Sequence, residues 1–199
     1  LEESMLVQRL YKIENFDSEH IYEIVTIASV EVRYKGQETV IRALAYLKKL
    51  GQNNFRYHLI GGGDDSFLRK LSSDLNVSDQ VIFHGSLNHE QVMDFLNDAD
   101  IYIQPSKQEG LPRSLIEGMS RGLLCYGTNV AGIPELLSPE MLISRKRNNY
   151  IELAEKLSKI DRDLCKDQAQ KNFEKAKRYA GPILDEKRKC FFRAFKERI

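Results

Sequence analysis

Along most of the chain, short apolar runs alternate with stretches of helical periodicity. Residues 21–29 (IYEIVTIAS) are apolar and β-branched, which predicts a buried strand. Residues 37–50 place Val40, Leu44 and Leu47 on one face with Ile41 alongside, and Gly51 closes that helix. The unit then repeats. Strand 57–61 (YHLIG) precedes a helix carrying Phe67, Leu68, Leu71 and Leu75, and strand 81–85 (VIFHG) precedes one carrying Val92, Phe95 and Leu96. Strand 100–106 (DIYIQPS) precedes a helix with Leu115, Ile116 and Met119 on its apolar face, and strand 123–128 (LLCYGT) and a weaker strand 141–144 (MLIS) follow.

Strands alternating with short helices are βαβ units, which need a parallel sheet covered on both faces. Right-handed crossovers then give an α/β fold with a Rossmann-like, doubly wound parallel sheet. From residue 148 the pattern is helical only: 149–160, 162–180, a break at Gly181-Pro182, and a last helix over 183–197. The expected organisation is a nucleotide-binding domain over 1–147, completed by extra C-terminal helices over 148–199. In such a sheet ligands lie at the carboxyl ends of the strands. The turns to watch are therefore Lys35-Gly36, Gly61-Gly62-Gly63, Gly85, 105–111 and 129–135.

The composition of the 199 residues, 42% hydrophobic and 30% charged with a net charge of +1, is that of a globular protein with no overall commitment to nucleic acid. The charge is uneven: residues 161–199 hold twelve Lys/Arg against seven Asp/Glu. That tail reads either as solvated helix faces or as a surface for an anionic membrane or a partner domain. Cys125, Cys165 and Cys190 are widely spaced, as in a reducing compartment, and His20, His58, His84 and His89 lack ligand spacing, so no metal site is expected. No apolar run approaches the length of a membrane span, and no signal peptide is evident. Because the chain starts at Leu1 rather than Met, a piece cut from a longer protein is expected.

The segment QEGLPRSLIEGMSRG (108–122) carries the candidate chemistry. Pro112 stands where a helix begins, and Gly110 allows a ligand close to the backbone. The free N–H groups of such a helix start suit a phosphate. Glu109 lies beside that cradle, and Glu117 lies about 7–8 Å further along the axis than Pro112. The two carboxylates are placed to hold the hydroxyls at the two ends of one ligand. For isolated glutamates, ordinary surface charge would be the better reading. The triple glycine is not a dinucleotide fingerprint, since Ser66 stands where its last glycine would be; it reads as a tight turn after the second strand.

Five segments together resemble one family: EGLPRSLIEGMSRG, NVAGIPELL (129–137), DADIYIQPS (98–106), VIFHGSL (81–87) and RYKGQETVIRAL (33–44). In order and spacing they are similar to the donor-binding, C-terminal half of GT-B retaining glycosyltransferases, the glycosyl transferases group 1. The resemblance implies that Glu109 contacts the donor sugar and acts at the reacting centre, that Gly110 and Leu111 offer backbone donors, and that Glu117 binds ribose hydroxyls. It also implies that Lys35, in the turn with Gly36, holds the diphosphate and that Gly85 lies near the base; as a residue, Gly85 reads equally as a strand-ending turn. Val30 stands where the family usually has an arginine, and Arg33 is the nearest substitute.

The implied activity is transfer of a sugar from a UDP- or GDP-sugar to an acceptor hydroxyl with retention, in polysaccharide or glycolipid biosynthesis, without cofactor or metal. The acceptor would be held by an N-terminal domain missing here, so the piece alone should bind donor and transfer little. A cytoplasmic location is implied, peripheral to a membrane if the basic tail engages one. Phe191, Phe192 and Phe195 are expected to meet the missing half, or else to form an exposed patch or a homodimer contact. The competing readings are a sugar-nucleotide epimerase on the same fold and a non-catalytic interaction module.

Overall fold

The computed structural model describes residues 2–196; in the last helix it does not describe the side chains of residues 184, 187 and 191–196. Nine α-helices are found among the described residues: α1 Glu3–Glu14, α2 Gln37–Lys49, α3 Ser66–Asp74, α4 His89–Asp98, α5 Arg113–Ser120, α6 Ile133–Leu136, α7 Asn149–Leu157, α8 Arg162–Lys177 and α9 Gly181–Lys196. The strands are β1 Tyr22–Ile27, β2 Phe55–Ile60, β3 Val81–Gly85, β4 Ile101–Gln104, β5 Leu124–Thr128 and β6 Leu142–Ile143. They form one parallel sheet in the order β3-β2-β1-β4-β5-β6. The doubly wound expectation therefore holds, and the strand order reverses between β1 and β4.

The sheet is buried on both faces because its central strands carry no polar alternation. Every residue of β4 and β5 is buried, including the fully enclosed Tyr102 and Tyr126. Helices α2, α3 and α7 pack together in one layer, while α4, α5, α8 and α1 pack together in the other. The C-terminal helices α7 and α8 thus complete the same core rather than building a second one.

The helices at the two ends of the chain differ from the sequence reading. The long C-terminal helix stops at Lys177, and Gly181-Pro182 opens α9 instead of interrupting the run, as proline is tolerated in a first helical turn. The phenylalanine cluster at 191, 192 and 195 lies outside the described side chains. Helix α1 was not expected at all. Its Arg9 is buried and donates to the carbonyls of Leu96 and Asn97 at the end of α4, of Ala99 just beyond it, and of Arg121 at the end of α5. A cation there satisfies carbonyls left over where two helices end.

At the amino ends of the strands, Asp100 accepts from Lys12 Nζ (2.6 Å), His20 Nε2 (3.0 Å) and Glu23 N (3.0 Å), with Arg9 at 3.9 Å. Burial works against its charge, but the bonds from His20, Lys12 and Glu23 prevail and hold its carboxyl below the usual range. This cluster is at the opposite end of the strands from the reversal crevice and is structural.

Candidate functional site

Two loops meet at the carboxyl edge where the strand order reverses. The loop after β1 ends in a short 3-10 turn, Arg33–Lys35, and the loop after β4 runs from Pro105 to Pro112. They are tied by a bond from Lys107 N to Tyr34 O of 2.7 Å. Gly36 makes their close approach possible. It adopts φ +75°, and a Cβ there would lie 2.0 Å from Pro105 O. Behind them, Gly62 O accepts from Val30 N and Ser29 Oγ, both 3.1 Å, so the turn after β2 braces the β1 loop.

The structure brings Lys35 and Glu109 together. Lys35 Nζ lies 2.9 Å from Glu109 Oε2, and both side chains are largely covered. The same oxygen accepts from Ser106 Oγ (2.9 Å) and Gln104 Nε2 (3.2 Å). Gln104 is held in turn by Tyr102, whose hydroxyl donates to Gln104 Oε1 at 2.8 Å. A buried chain of side chains thus runs from the middle of β4 to the loop and fixes the Glu109 carboxylate. Neither Gln104 nor Ser106 was assigned a role in the site from the sequence. The available signal was that they stand at the end of a strand, five and three residues before Glu109.

Helix α5 starts one residue later than expected, with Pro112 as its cap in extended conformation and no side chain capping the first turn. Its first backbone N–H groups remain available beside Gly110, where an added Cβ would meet no protein atom within 4 Å. Leu111 is exposed. The following loop is coupled to this one, because Gly132 N donates to Gly110 O at 3.0 Å.

Glu117 lies in α5, half-buried, with His89 Nδ1 at 3.9 Å. Burial, only partly offset by His89, Arg113 and Arg121, raises its carboxyl above the usual range. Arg33 points elsewhere: its guanidinium pairs with Glu38 (2.9 Å) and lies 3.4 Å from the centre of the Phe67 ring. Val30 is buried. Gly85 ends β3 at φ +68°, and its carbonyl accepts from Gly61 N.

The fold also joins His58 and His84 (2.9 Å), with His58 Nε2 2.6 Å from Glu23. Burial and its neighbour His58 lower the His84 pKa. Among the described residues no group of three or more His, Cys, Asp or Glu is placed to hold a metal ion, and no helix is long and apolar enough to cross a membrane.

The model of the family glycosyl transferases group 1 matches residues 12–179. Protein CapJ of Staphylococcus aureus is 28% identical over 134 residues, covering 67% of this chain and 34% of that protein. The putative colanic acid biosynthesis glycosyltransferase WcaL of Escherichia coli K12 is 33% identical over 125 residues, covering 59% and 30%. The chain thus spans about a third of the length of these relatives. Among solved structures, the C-terminal domain of a glycosyl transferase group 1 family protein, LpcC of Francisella tularensis, superposes with a TM-score of 0.68 at 21% identity. It covers 85% of this chain and 90% of that domain, so the two share the fold.

Proposed function

Since the chain belongs to the glycosyl transferases group 1 family, we propose that it is the donor-binding half of a retaining glycosyltransferase that takes a UDP- or GDP-sugar. The observation that carries this reading is the pre-formed Lys35–Glu109 pair beside the uncapped start of α5, at the reversal of the sheet. A diphosphate suits that place. The helix start and Lys35 supply positive charge, and a fixed cation stabilises the charge that collects on a departing nucleoside diphosphate. Once Lys35 turns to the phosphates, Glu109 keeps its bonds from Ser106 and Gln104 and is positioned to accept sugar hydroxyls and to face the developing positive charge at the anomeric carbon. Glu117 accepts ribose hydroxyls and contributes binding only.

Acceptor binding is assigned to a preceding domain, and the process to polysaccharide or glycolipid biosynthesis. WcaL is named for such a pathway, and the fission-yeast relative gpi3 is a phosphatidylinositol N-acetylglucosaminyltransferase subunit. No cofactor is required by this chemistry. Arg33 would have to leave Glu38 and Phe67 to reach the donor. That placement and the buried Val30 favour a second reading, a non-catalytic module, which predicts no donor-dependent role for Glu109.

Calorimetric titration with UDP, GDP and ADP tests the first reading: one diphosphate binds, and Lys35→Gln weakens it. No binding of any of them at millimolar ligand would overturn it. In the full-length protein, Glu109→Ala abolishes transfer if the enzyme reading holds, and leaves cellular function unchanged if the module reading does.

A further inference from the structure

Beyond the donor cradle, a cavity of about 410 Å³ opens at the same carboxyl edge between the starts of α2 and α7 and the loops after β4, β5 and β6. Its charge is one-sided. Arg42, Lys107, Arg145, Lys146 and Arg147 line it, against a single carboxylate, Glu38. Glu38 is already engaged by Lys107 (2.6 Å) and Arg33 (2.9 Å). Among the described residues, Arg42, Arg145, Lys146 and Arg147 make no ion pair and no side-chain hydrogen bond. Cations gathered at one concavity repel one another, so the arrangement costs stability unless an anion joins them.

Three further observations point the same way. Thr128, the last residue of β5, lines the cavity and is 2% exposed, yet its Oγ1 has no hydrogen-bond partner. A buried hydroxyl without a partner is unfavourable, and a bound oxyanion is the acceptor it lacks. Beside Arg145, Ser144 Oγ is likewise unpartnered. Finally, α2 and α7 both begin at this cavity, through Thr39 and Asn149, and neither has a side-chain cap. Two helix starts converging on five cations favour an anion.

We propose that this cavity is a second anion site, built for a phosphoryl or diphosphoryl group such as that of a phosphorylated acceptor or a phospholipid headgroup. Guanidinium forks from Arg42, Arg145 and Arg147 take the oxygens in pairs, with Lys146 and Lys107 as point charges and Thr128 Oγ1 donating from the sheet edge. Occupancy also frees Glu38 from its role as the sole counter-charge. Of its residues only Lys107 belongs to a loop of the donor cradle, and the 145–147 loop and Thr128, where the changes are made, lie outside it, so the inference survives or fails independently of the donor assignment.

The test is calorimetric titration of the chain with inorganic pyrophosphate in a Lys35→Gln background, which silences the proposed donor cradle, with and without Arg145→Gln/Lys146→Gln/Arg147→Gln. The triple change sits in an exposed loop and leaves the sheet intact. A control, Lys70→Gln/Lys171→Gln/Lys189→Gln, removes the same charge from exposed positions elsewhere. In that background pyrophosphate affinity should fall about tenfold or more with the loop changes and stay within about twofold with the control changes. Thr128→Val should weaken pyrophosphate while leaving the melting temperature unchanged or higher, because it removes an unsatisfied buried hydroxyl. Co-sedimentation with phosphatidylcholine vesicles, with and without phosphatidic acid, identifies the source. Capture that needs both phosphatidic acid and the loop cations marks a headgroup, whereas pyrophosphate binding without capture marks a soluble phosphate. No pyrophosphate binding by Lys35→Gln, or binding there equally sensitive to the control changes, overturns the proposal.

Discussion

Replacing Gly110 by alanine separates ligand contact from folding, and Gly36 provides the contrast. At Gly36 an added Cβ would meet Pro105 O at 2.0 Å and Pro105 C at 2.8 Å, both backbone atoms, in a residue at φ +75°. A non-glycine residue in that region costs about 1–2 kcal/mol, and forcing a methyl into packed backbone costs about 1–3 kcal/mol more. For a domain of this size each kcal/mol lowers Tm by about 2–4 °C, so Gly36→Ala should lose roughly 4–20 °C. At Gly110 no protein atom lies within 4 Å of the new Cβ and φ is not in the left-handed range. Gly110→Ala should therefore melt within about 2 °C of the wild type. Its methyl instead occupies the space over the cradle where the proposed donor would approach the backbone. An overpacking cost of about 1–3 kcal/mol there falls wholly on the ligand and weakens binding about 5- to 150-fold. The assays are thermal unfolding of both variants and titration with the nucleoside diphosphate that the wild type binds. A Gly110→Ala protein that is stable and binds as the wild type does would refute the cradle.

Two further outcomes follow from the charges. Glu117→Gln should leave neutral-pH stability unchanged or slightly raised, because burial makes the ionised carboxyl unfavourable in the folded protein, a penalty that sets in as pH rises past the unfolded value and is complete above the raised folded one. The same variant should weaken nucleoside diphosphate binding about tenfold, and wild-type affinity should decline on acidification at a pH above that of an ordinary glutamate, an inflection absent from Glu117→Gln titrations. Asp100→Asn should destabilise by roughly 3–5 kcal/mol in denaturant unfolding, because it leaves the buried Arg9 and its neighbours without their counter-charge. Since the Asp100 carboxyl is held below its usual range, its stabilisation is complete above the unfolded value near pH 4 and is lost as pH falls through the lowered folded value; that acid limb should flatten in the variant.

The layered fold was legible because its strands are short apolar runs bounded by turn residues, as in IYIQ and LCYGT, and burial of both sheet faces requires such runs. The pairing of Lys35 with Glu109 was legible only as two residues in loops expected at one sheet edge. Their contact follows from strand order, which periodicity does not encode. Helix α1 did carry a signal, with Leu6, Leu10 and Ile13 on one face, but it precedes the first strand and stands outside the βαβ alternation. The anion cavity was the least legible. Its basic triplet is contiguous, but Arg42 and Lys107 lie far away in sequence, and an unsatisfied Thr128 hydroxyl is a property of packing alone.

The clamp that Arg9 places on the ends of α4 and α5 bears on where this folding unit begins. A chain trimmed to start at β1 would keep every strand and every proposed ligand contact. It would nevertheless uncover four carbonyls at the rear of the two helices and strip Asp100 of two of its cations. The smallest unit that keeps this clamp therefore starts at the α1 helix, 19 residues before the first strand begins. Domain exchange between relatives should be spliced ahead of Glu3, so that the graft carries its own keystone.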